Sequence, residues 1–177
     1  GVENHRIVEL MDVARHFNET DNGSEVLIVD DNSYNTTAIA QLLSQMTVTS
    51  QIVFSGQQAV DKVEARIAAR TPMYRLVLMD FSMPFMDGIE TAKRIVKMVM
   101  AHNTRGEHAA QMVRAPFICI CTAVAEKDRL KESERVFVHM LVQKPVFRKE
   151  MQSILARAGF VDELALQSDG QPMEELV

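Results

Sequence analysis

A short apolar run that ends on a carboxylate is the feature that most limits how this chain can fold. Residues 76–79 (LVLM) are continuously hydrophobic, and Asp80 follows them directly. Runs of this kind are typical of parallel strands whose two faces are both covered. Because a charge is costly inside such a sheet, we predict that Asp80 stands at the carboxyl end of the strand. The sequence FSMPFMDG then predicts a loop, and apolar residues resume at helical spacing from Ile89.

A second buried strand upstream ends in the same way. Residues 25–33 read EVLIVDDNS, so this strand delivers Asp30 and Asp31 to its own carboxyl end. Parallel strands bring these carboxylates and Asp80 to one edge, where open α/β sheets bind ligands. At about 4 Å and an effective dielectric constant of about 20, each like-charge pair repels by roughly 4 kcal/mol. We therefore predict that the cluster binds a cation.

Three more features complete an ordered set with these carboxylates. They are the MPFMDG loop, Thr122 at the end of a later strand, and Lys144-Pro145 at the end of the last strand. In this order the set resembles the receiver domain of two-component signalling, the fold of the bacterial chemotaxis response regulator. The resemblance covers about residues 25–160. It implies a doubly wound α/β fold, with a five-stranded parallel sheet in the flavodoxin-like order 2-1-3-4-5 and helices on both faces.

The resemblance also implies a set of metal ligands. Asp31 and Asp80 would bind Mg²⁺ directly, Asp30 mainly through water, and the Ser82 backbone carbonyl would complete the protein's contribution. Hard oxygen ligands with retained waters are what Mg²⁺ prefers.

In the same way the resemblance assigns the chemistry. Asp80 would be the nucleophile that takes a phosphoryl group from a histidine kinase or a histidine phosphotransfer protein, which would switch partner interactions. Lys144 would spread the transferring charge, and the Thr122 hydroxyl would report that the group has arrived. The Lys144-Pro145 peptide bond is expected to be cis. Catalysis would be confined to the protein's own aspartyl phosphorylation and dephosphorylation, with no turnover of an external substrate.

Three positions depart from the family's pattern or set its kinetics. The family usually carries an aromatic residue or a histidine three positions before the lysine, where this chain has Leu141. The usual aromatic switch is therefore in doubt. The two family positions that can hold a hydrolytic water are Ser82 and Val124, both poor at positioning water. We therefore predict a slowly hydrolysing acyl phosphate.

The remaining sequence divides around this domain. We predict an N-terminal linker or extra helix in residues 1–24, an extended loop insertion at 101–115 and a C-terminal tail at 161–177. Hydrophobic spacing predicts helices near residues 33–46, 56–70, 89–99 and 147–158, and strands at 48–54, 116–121 and 139–142. Residues 125–138 predict a helix with few apolar contacts, which should shift easily.

Composition narrows the classes of function. The chain has 177 residues, of which 47% are hydrophobic, and a net charge of -5. This net negative charge argues against binding to nucleic acid, and no apolar run is long enough for a membrane span. The first residues show no secretory signal, so we expect a cytoplasmic location. Cys119 and Cys121 are expected to be buried, reduced thiols.

Alternatives remain open at this stage. An aspartate-nucleophile, Mg²⁺-dependent phosphohydrolase would also use Asp80, but such enzymes typically carry a second aspartate two residues later, where this chain has Ser82. A pseudo-receiver that is never phosphorylated is the other rival. The chain is either a stand-alone receiver or the receiver part of a hybrid histidine kinase. A homodimer through the last two helices and the last strand is a further option.

Overall fold

The computed structural model describes residues 23–105, 112–123 and 130–160. Ten elements follow one another in this part of the chain. Five are strands: β1 (Val26–Val29), β2 (Ser50–Val53), β3 (Leu76–Asp80), β4 (Phe117–Thr122) and β5 (Met140–Gln143). Four are α-helices: α1 (Ser33–Gln45), α2 (Gly56–Ala69), α3 (Gly88–Arg105) and α4 (Arg148–Arg157). The tenth is a 3-10 helix at Glu132–Phe137.

The strands form one parallel sheet. Their order is β2-β1-β3-β4-β5, which confirms the predicted topology. The register pairs Val29 with Met79 across β1 and β3, and Asp80 with Cys121 across β3 and β4. Since all five strands run the same way, the residues that follow β1, β3, β4 and β5 meet at one edge.

Alternating side chains divide the core into two layers. One layer contains Leu27, Val29, Val77 and Met79 and packs under α2 and α3. The other contains Val26, Ile28, Leu76, Leu78 and Cys119 and packs under α1 and α4. Both faces of the sheet are therefore covered, as the continuous apolar runs predicted. Cys119 and Cys121 are buried free thiols, and a hydrogen bond with Cys121, together with burial, raises the pKa of Cys119.

Two elements differ from the sequence prediction. The helix predicted to end near residue 99 continues to Arg105, so the first five residues of the 101–115 segment are helical. Val99 is still buried on this helix, and the exposed or half-buried residues that follow, from Met100 to Arg105, extend it. Within the predicted helix 125–138, the described residues form only the short 3-10 helix. None of the 3-10 helix residues is fully buried, so little packing is available to stabilise an α-helix there.

Several predicted segments lie outside the described residues and cannot be compared with the structure, among them nearly all of the predicted N-terminal linker or helix. These are residues 1–22, 106–111, 124–129 and 161–177. None of the described helices is long and apolar enough to cross a membrane.

Candidate functional site

The three predicted carboxylates meet at the carboxyl edge of the sheet. Asp30 and Asp31 follow β1 directly, and Asp80 is the last residue of the neighbouring strand β3. One carboxylate oxygen from each lies within 4.8 Å of the others. Asp30 and Asp80 are only 3% and 7% exposed, whereas Asp31 faces solvent. Buried like charges at this spacing repel strongly, so the cluster is suited to a divalent cation.

Asp30 is held by donors from three parts of the chain. Its Oδ1 accepts from the backbone N of Asn32 at 2.8 Å, and its Oδ2 accepts from Asn35 Nδ2 at 3.1 Å. Lys144 Nζ donates to the same Oδ2 at 3.3 Å. Sequence reasoning missed Asn35. The signal was the helix start, because the Asn32 side chain caps α1 and Asn35 stands in the first turn, facing back toward the end of the strand.

Lys144 connects the far side of the sheet to the cluster. Its Nζ forms an ion pair with Asp80 as well as with Asp30. Its backbone N donates to Thr122 O at 2.8 Å, and the Lys144-Pro145 peptide bond is cis, as predicted. Partial burial would lower the pKa of Lys144, but the hydrogen bond and charge of Asp80, with the charge of Asp30, outweigh it and raise that pKa. The lysine therefore stays charged beside the two acids.

Thr122 ends β4 at the same edge. It is fully buried, and its Oγ1 has no hydrogen-bond partner among the described residues. A buried hydroxyl without a partner costs about 1–3 kcal/mol, so such groups are usually satisfied by water or ligand. This hydroxyl is therefore available to an incoming group.

The loop after β3 is shaped by what it buries. Phe81, Met83 and Met86 pack into the core, which leaves Phe85 fully exposed with a left-handed φ of 66°. The loop ends where Asp87 Oδ1 accepts from the backbone N of Glu90 at 2.8 Å and so caps α3.

Gly88 lets helix α3 start against the strand. A Cβ at this position would lie 2.3 Å from the carbonyl oxygen of Asp80. Helix α3 can thus begin this close to β3 only because residue 88 has no side chain.

The remaining predicted site positions fall as follows. Ser82 is exposed, two residues beyond Asp80 on the same loop. Leu141 is partly buried on β5 and packs against the layer under α2 and α3. Val124 lies outside the described residues. The structure thus brings together Asp30, Asp31, Asp80, Lys144 and Thr122 at one sheet edge.

A flavodoxin-like sheet with this edge defines a class of signalling domains, and comparison with known proteins agrees. The model of the response regulator receiver domain family matches residues 26–156. The chain belongs to this family.

Individual relatives support the same assignment. The chain is 28% identical to two-component response regulator 24 of Arabidopsis thaliana over 134 residues, 76% of this chain and 83% of that protein. It is 25% identical to hybrid signal transduction histidine kinase L of Dictyostelium discoideum over 76% of this chain, but it spans only 7% of that much longer protein.

A solved structure adds a comparison for the site. The receiver domain of a sensor histidine kinase from Pseudomonas aeruginosa PAO1 is 29% identical, with a TM-score of 0.55 over 76% of this chain and 95% of that one. That protein was crystallised with a magnesium ion coordinated in its active-site cleft.

Proposed function

We propose that Asp80 accepts a phosphoryl group from a phosphohistidine and that the modified domain then changes its partner contacts. The observation that carries this proposal is the ion pair between Lys144 Nζ and Asp80, formed beside two further carboxylates and the Thr122 hydroxyl, which has no hydrogen-bond partner among the described residues. A carboxylate with a purely structural role needs only one cation beside it. Here two further carboxylates, a lysine and a threonine hydroxyl surround the single carboxylate of Asp80.

The residues present fit Mg²⁺. Asp31 and Asp80 would bind it directly, Asp30 through water, and the Ser82 carbonyl would add a neutral oxygen. All are hard oxygen donors, and the carboxylate oxygens already lie within 4.8 Å of one another. The ion would neutralise the charge that builds up on the phosphoryl oxygens.

The protein's own groups would then act as follows. An Asp80 Oδ forms a bond to phosphorus while the bond from phosphorus to the donor nitrogen breaks, and the donor imidazole takes up a proton. Lys144, held near Asp30 at 3.3 Å, keeps its charge beside the transferred group. The Thr122 hydroxyl donates to a phosphoryl oxygen and so gains the partner that it lacks now.

The rim of the site favours a protein partner. Tyr34, Phe85 and Phe147 are 85%, 110% and 64% exposed, and each stands in a segment that follows a strand at the carboxyl edge. Contiguous exposed apolar patches rimmed by polar residues mark protein-binding surfaces, and we propose that these three side chains contribute to one. We propose that a histidine kinase or a histidine phosphotransfer protein docks there and presents its histidine to Asp80.

Broader assignments follow from this proposal. Residues 25–160 would be the acceptor unit, and residues 1–24 and 161–177 its extensions. Whether the parent protein is a stand-alone regulator or a hybrid kinase is open, because relatives of both kinds match. A cytoplasmic location and a homodimer through the last two helices and the last strand stay predictions from the sequence.

The test is phosphorylation of the chain by acetyl phosphate with Mg²⁺, followed by intact mass. We expect one added phosphoryl group on the wild type and none on Asp80→Asn. Asp61→Asn, which removes a carboxylate on α2 away from the site, should be modified like the wild type. Equal modification of the Asp80→Asn protein would refute the acceptor assignment. Repeated release of phosphate from an external phosphoester would instead indicate a phosphohydrolase.

A further inference from the structure

A second site lies at the opposite edge of the sheet. A cavity of about 700 Å³ opens among the segments that precede β3, β4 and β5. Tyr74 and Arg75 line it from before β3, Phe117 from the start of β4, and His139 from before β5. Its volume falls in the range of about 300–1,000 Å³ that is typical of small-molecule sites. None of the acceptor-site residues lines it.

The lining of this cavity is basic although the whole chain is acidic. Its basic residues are Arg70, Arg75, His102, Arg114, His139 and Arg157, and no described Asp or Glu lines it. Glu25 neutralises Arg75 through an ion pair at 2.8 Å. Within the described part of the chain, Arg70, Arg114 and Arg157 form no ion pair. Three guanidinium groups thus line one concave space, without a described carboxylate beside them, in a chain of net charge -5.

Helix ends explain only some of these residues. Basic side chains favour the carboxyl ends of helices, which accounts for Arg70 at the C-cap of α2, His102 in the last turn of α3 and Arg157 in the last turn of α4. Arg114 belongs to none of these cases. It stands in the segment before β4 and is not part of a helix end.

The walls of the cavity are fixed by hydrogen bonds. Asn103 on α3 donates to Val113 O at 2.9 Å and accepts from Val113 N at 2.8 Å, which fastens the segment that carries Arg114. His139 Nδ1 accepts from the backbone N of Ile118 at 2.9 Å, so its neutral ring carries the proton on Nε2 and can donate there. The rings of His139 and Phe117 stack with centroids 4.7 Å apart. A site prepared in this way loses little entropy on binding.

We propose that this cavity binds a small phosphorylated ligand of the nucleotide class. Arginine matches phosphate with paired N–H groups and keeps its charge at all physiological pH values. Ile67, Met73 and Val113, with the Phe117 and His139 rings, supply an apolar wall against which a planar base packs. An inorganic anion would use the arginines alone and would leave this wall uncovered.

The experiment is titration calorimetry of the full chain with ADP, in EDTA so that no metal bridges the nucleotide to the acidic edge. The matched probes are adenosine, which lacks phosphate, and ribose 5-phosphate, which lacks the base. We expect ADP to bind best, and Arg114→Gln combined with Arg157→Gln to weaken it by at least about tenfold, since hydrogen bonds to charged groups contribute about 1.5–3 kcal/mol each.

Two controls make the test specific. Arg94→Gln removes the same charge from the outer surface of α3 and should leave ADP binding unchanged. Amide NMR shifts caused by ADP should centre on Phe117 and His139. Failure of the wild type to bind ADP, equal binding by the double variant, or shifts confined to the acidic edge would each overturn the proposal.

The C-terminal tail provides a further control for the binding experiment. Residues 161–177 contain five carboxylates and no Lys or Arg, and they begin next to Gly159, which lines the cavity. One variant of the chain has these five residues neutralised. If ADP bound to that variant but not to the wild type, the chain's own tail would occupy the cavity and the proposal would be wrong. Because Asp80 takes no part, failure here would leave the acceptor function untouched.

Discussion

At the scale of single residues, the site offers few side-chain groups that can hold the water that hydrolyses an acyl phosphate. Ser82 offers one short hydroxyl on an exposed loop, and Val124 offers no hydrogen-bonding group at all. We expect Ser82→Asn and Val124→Glu to speed phosphate release, because each adds a group that can hold water. One positioned hydrogen bond of about 1.4 kcal/mol corresponds to roughly tenfold in rate.

The measurement is the decay of phosphorylated wild type beside the two single variants and their combination. Asp61→Asn serves again as the variant that should not change the rate. Fast decay of the wild type that neither substitution accelerates would show that other groups set the lifetime.

Thr122 gives a second prediction at this scale. Its buried hydroxyl has no partner in the described chain, so the folded state carries the full cost of removing that hydroxyl from water. Thr122→Val keeps the shape and removes the cost, and we expect the free energy of unfolding to rise by about 1 kcal/mol. Urea unfolding measures it, with Thr122→Ser as the variant that retains the hydroxyl. A clear loss of stability in Thr122→Val would mean that the hydroxyl is satisfied in the metal-free protein.

At the scale of elements, the junction of β3 and α3 determines whether the acceptor is placed at all. A methyl group at residue 88 would press within 2.3 Å of the Asp80 carbonyl oxygen and push the helix away. We expect Gly88→Ala to lower the free energy of unfolding by about 1–3 kcal/mol, as overpacking does, and to slow phosphorylation as well. Ser153→Ala, on the exposed face of α4, is the control. Unchanged stability and rate would show that the helix start can yield.

The 3-10 helix is the other element to which we assign a part in the function. It lies in the connection from β4 to β5, near Leu141, the position where the family usually carries an aromatic residue or a histidine. Val136 on this helix is 76% exposed, and no residue of the helix is buried. Elements with so few buried contacts open at low free energy, which would suit a surface that changes when Asp80 is phosphorylated, as we propose.

At the scale of the whole molecule, stability and cation binding are linked through the acidic edge. If Mg²⁺ binds the folded chain as we propose, and not the unfolded chain, then at about 100 times its dissociation constant it would add roughly 2.7 kcal/mol to the free energy of unfolding. We expect the melting temperature to rise with Mg²⁺ and to rise much less in Asp31→Asn. Without metal, Asp31→Asn should be more stable than the wild type, because one repulsive charge is gone. Thermal unfolding at matched ionic strength tests this, and equal Mg²⁺ shifts in both proteins would contradict the assigned ligand.

Much of this architecture follows from local patterns. Strands covered on both faces produce continuous apolar runs, and their carboxyl ends were recognisable because Asp30, Asp31 and Asp80 cannot remain inside the sheet. The strand order and the cis bond before Pro145 were implied by the ordered motif and are confirmed.

Other features depend on contacts between residues far apart in the chain. Asn35 reaches Asp30 only because α1 turns back over β1, and Gly88 is needed only because α3 starts against the Asp80 carbonyl. The basic cavity brings together Arg70 from the end of α2, Arg114 from the segment before β4 and Arg157 from the end of α4, and no spacing in the sequence relates them. Hydrophobic periodicity and strand-end charges are local properties that a sequence displays directly. Distances between side chains at the two sheet edges exist only once the strands are packed in order, so the tertiary structure alone decided them.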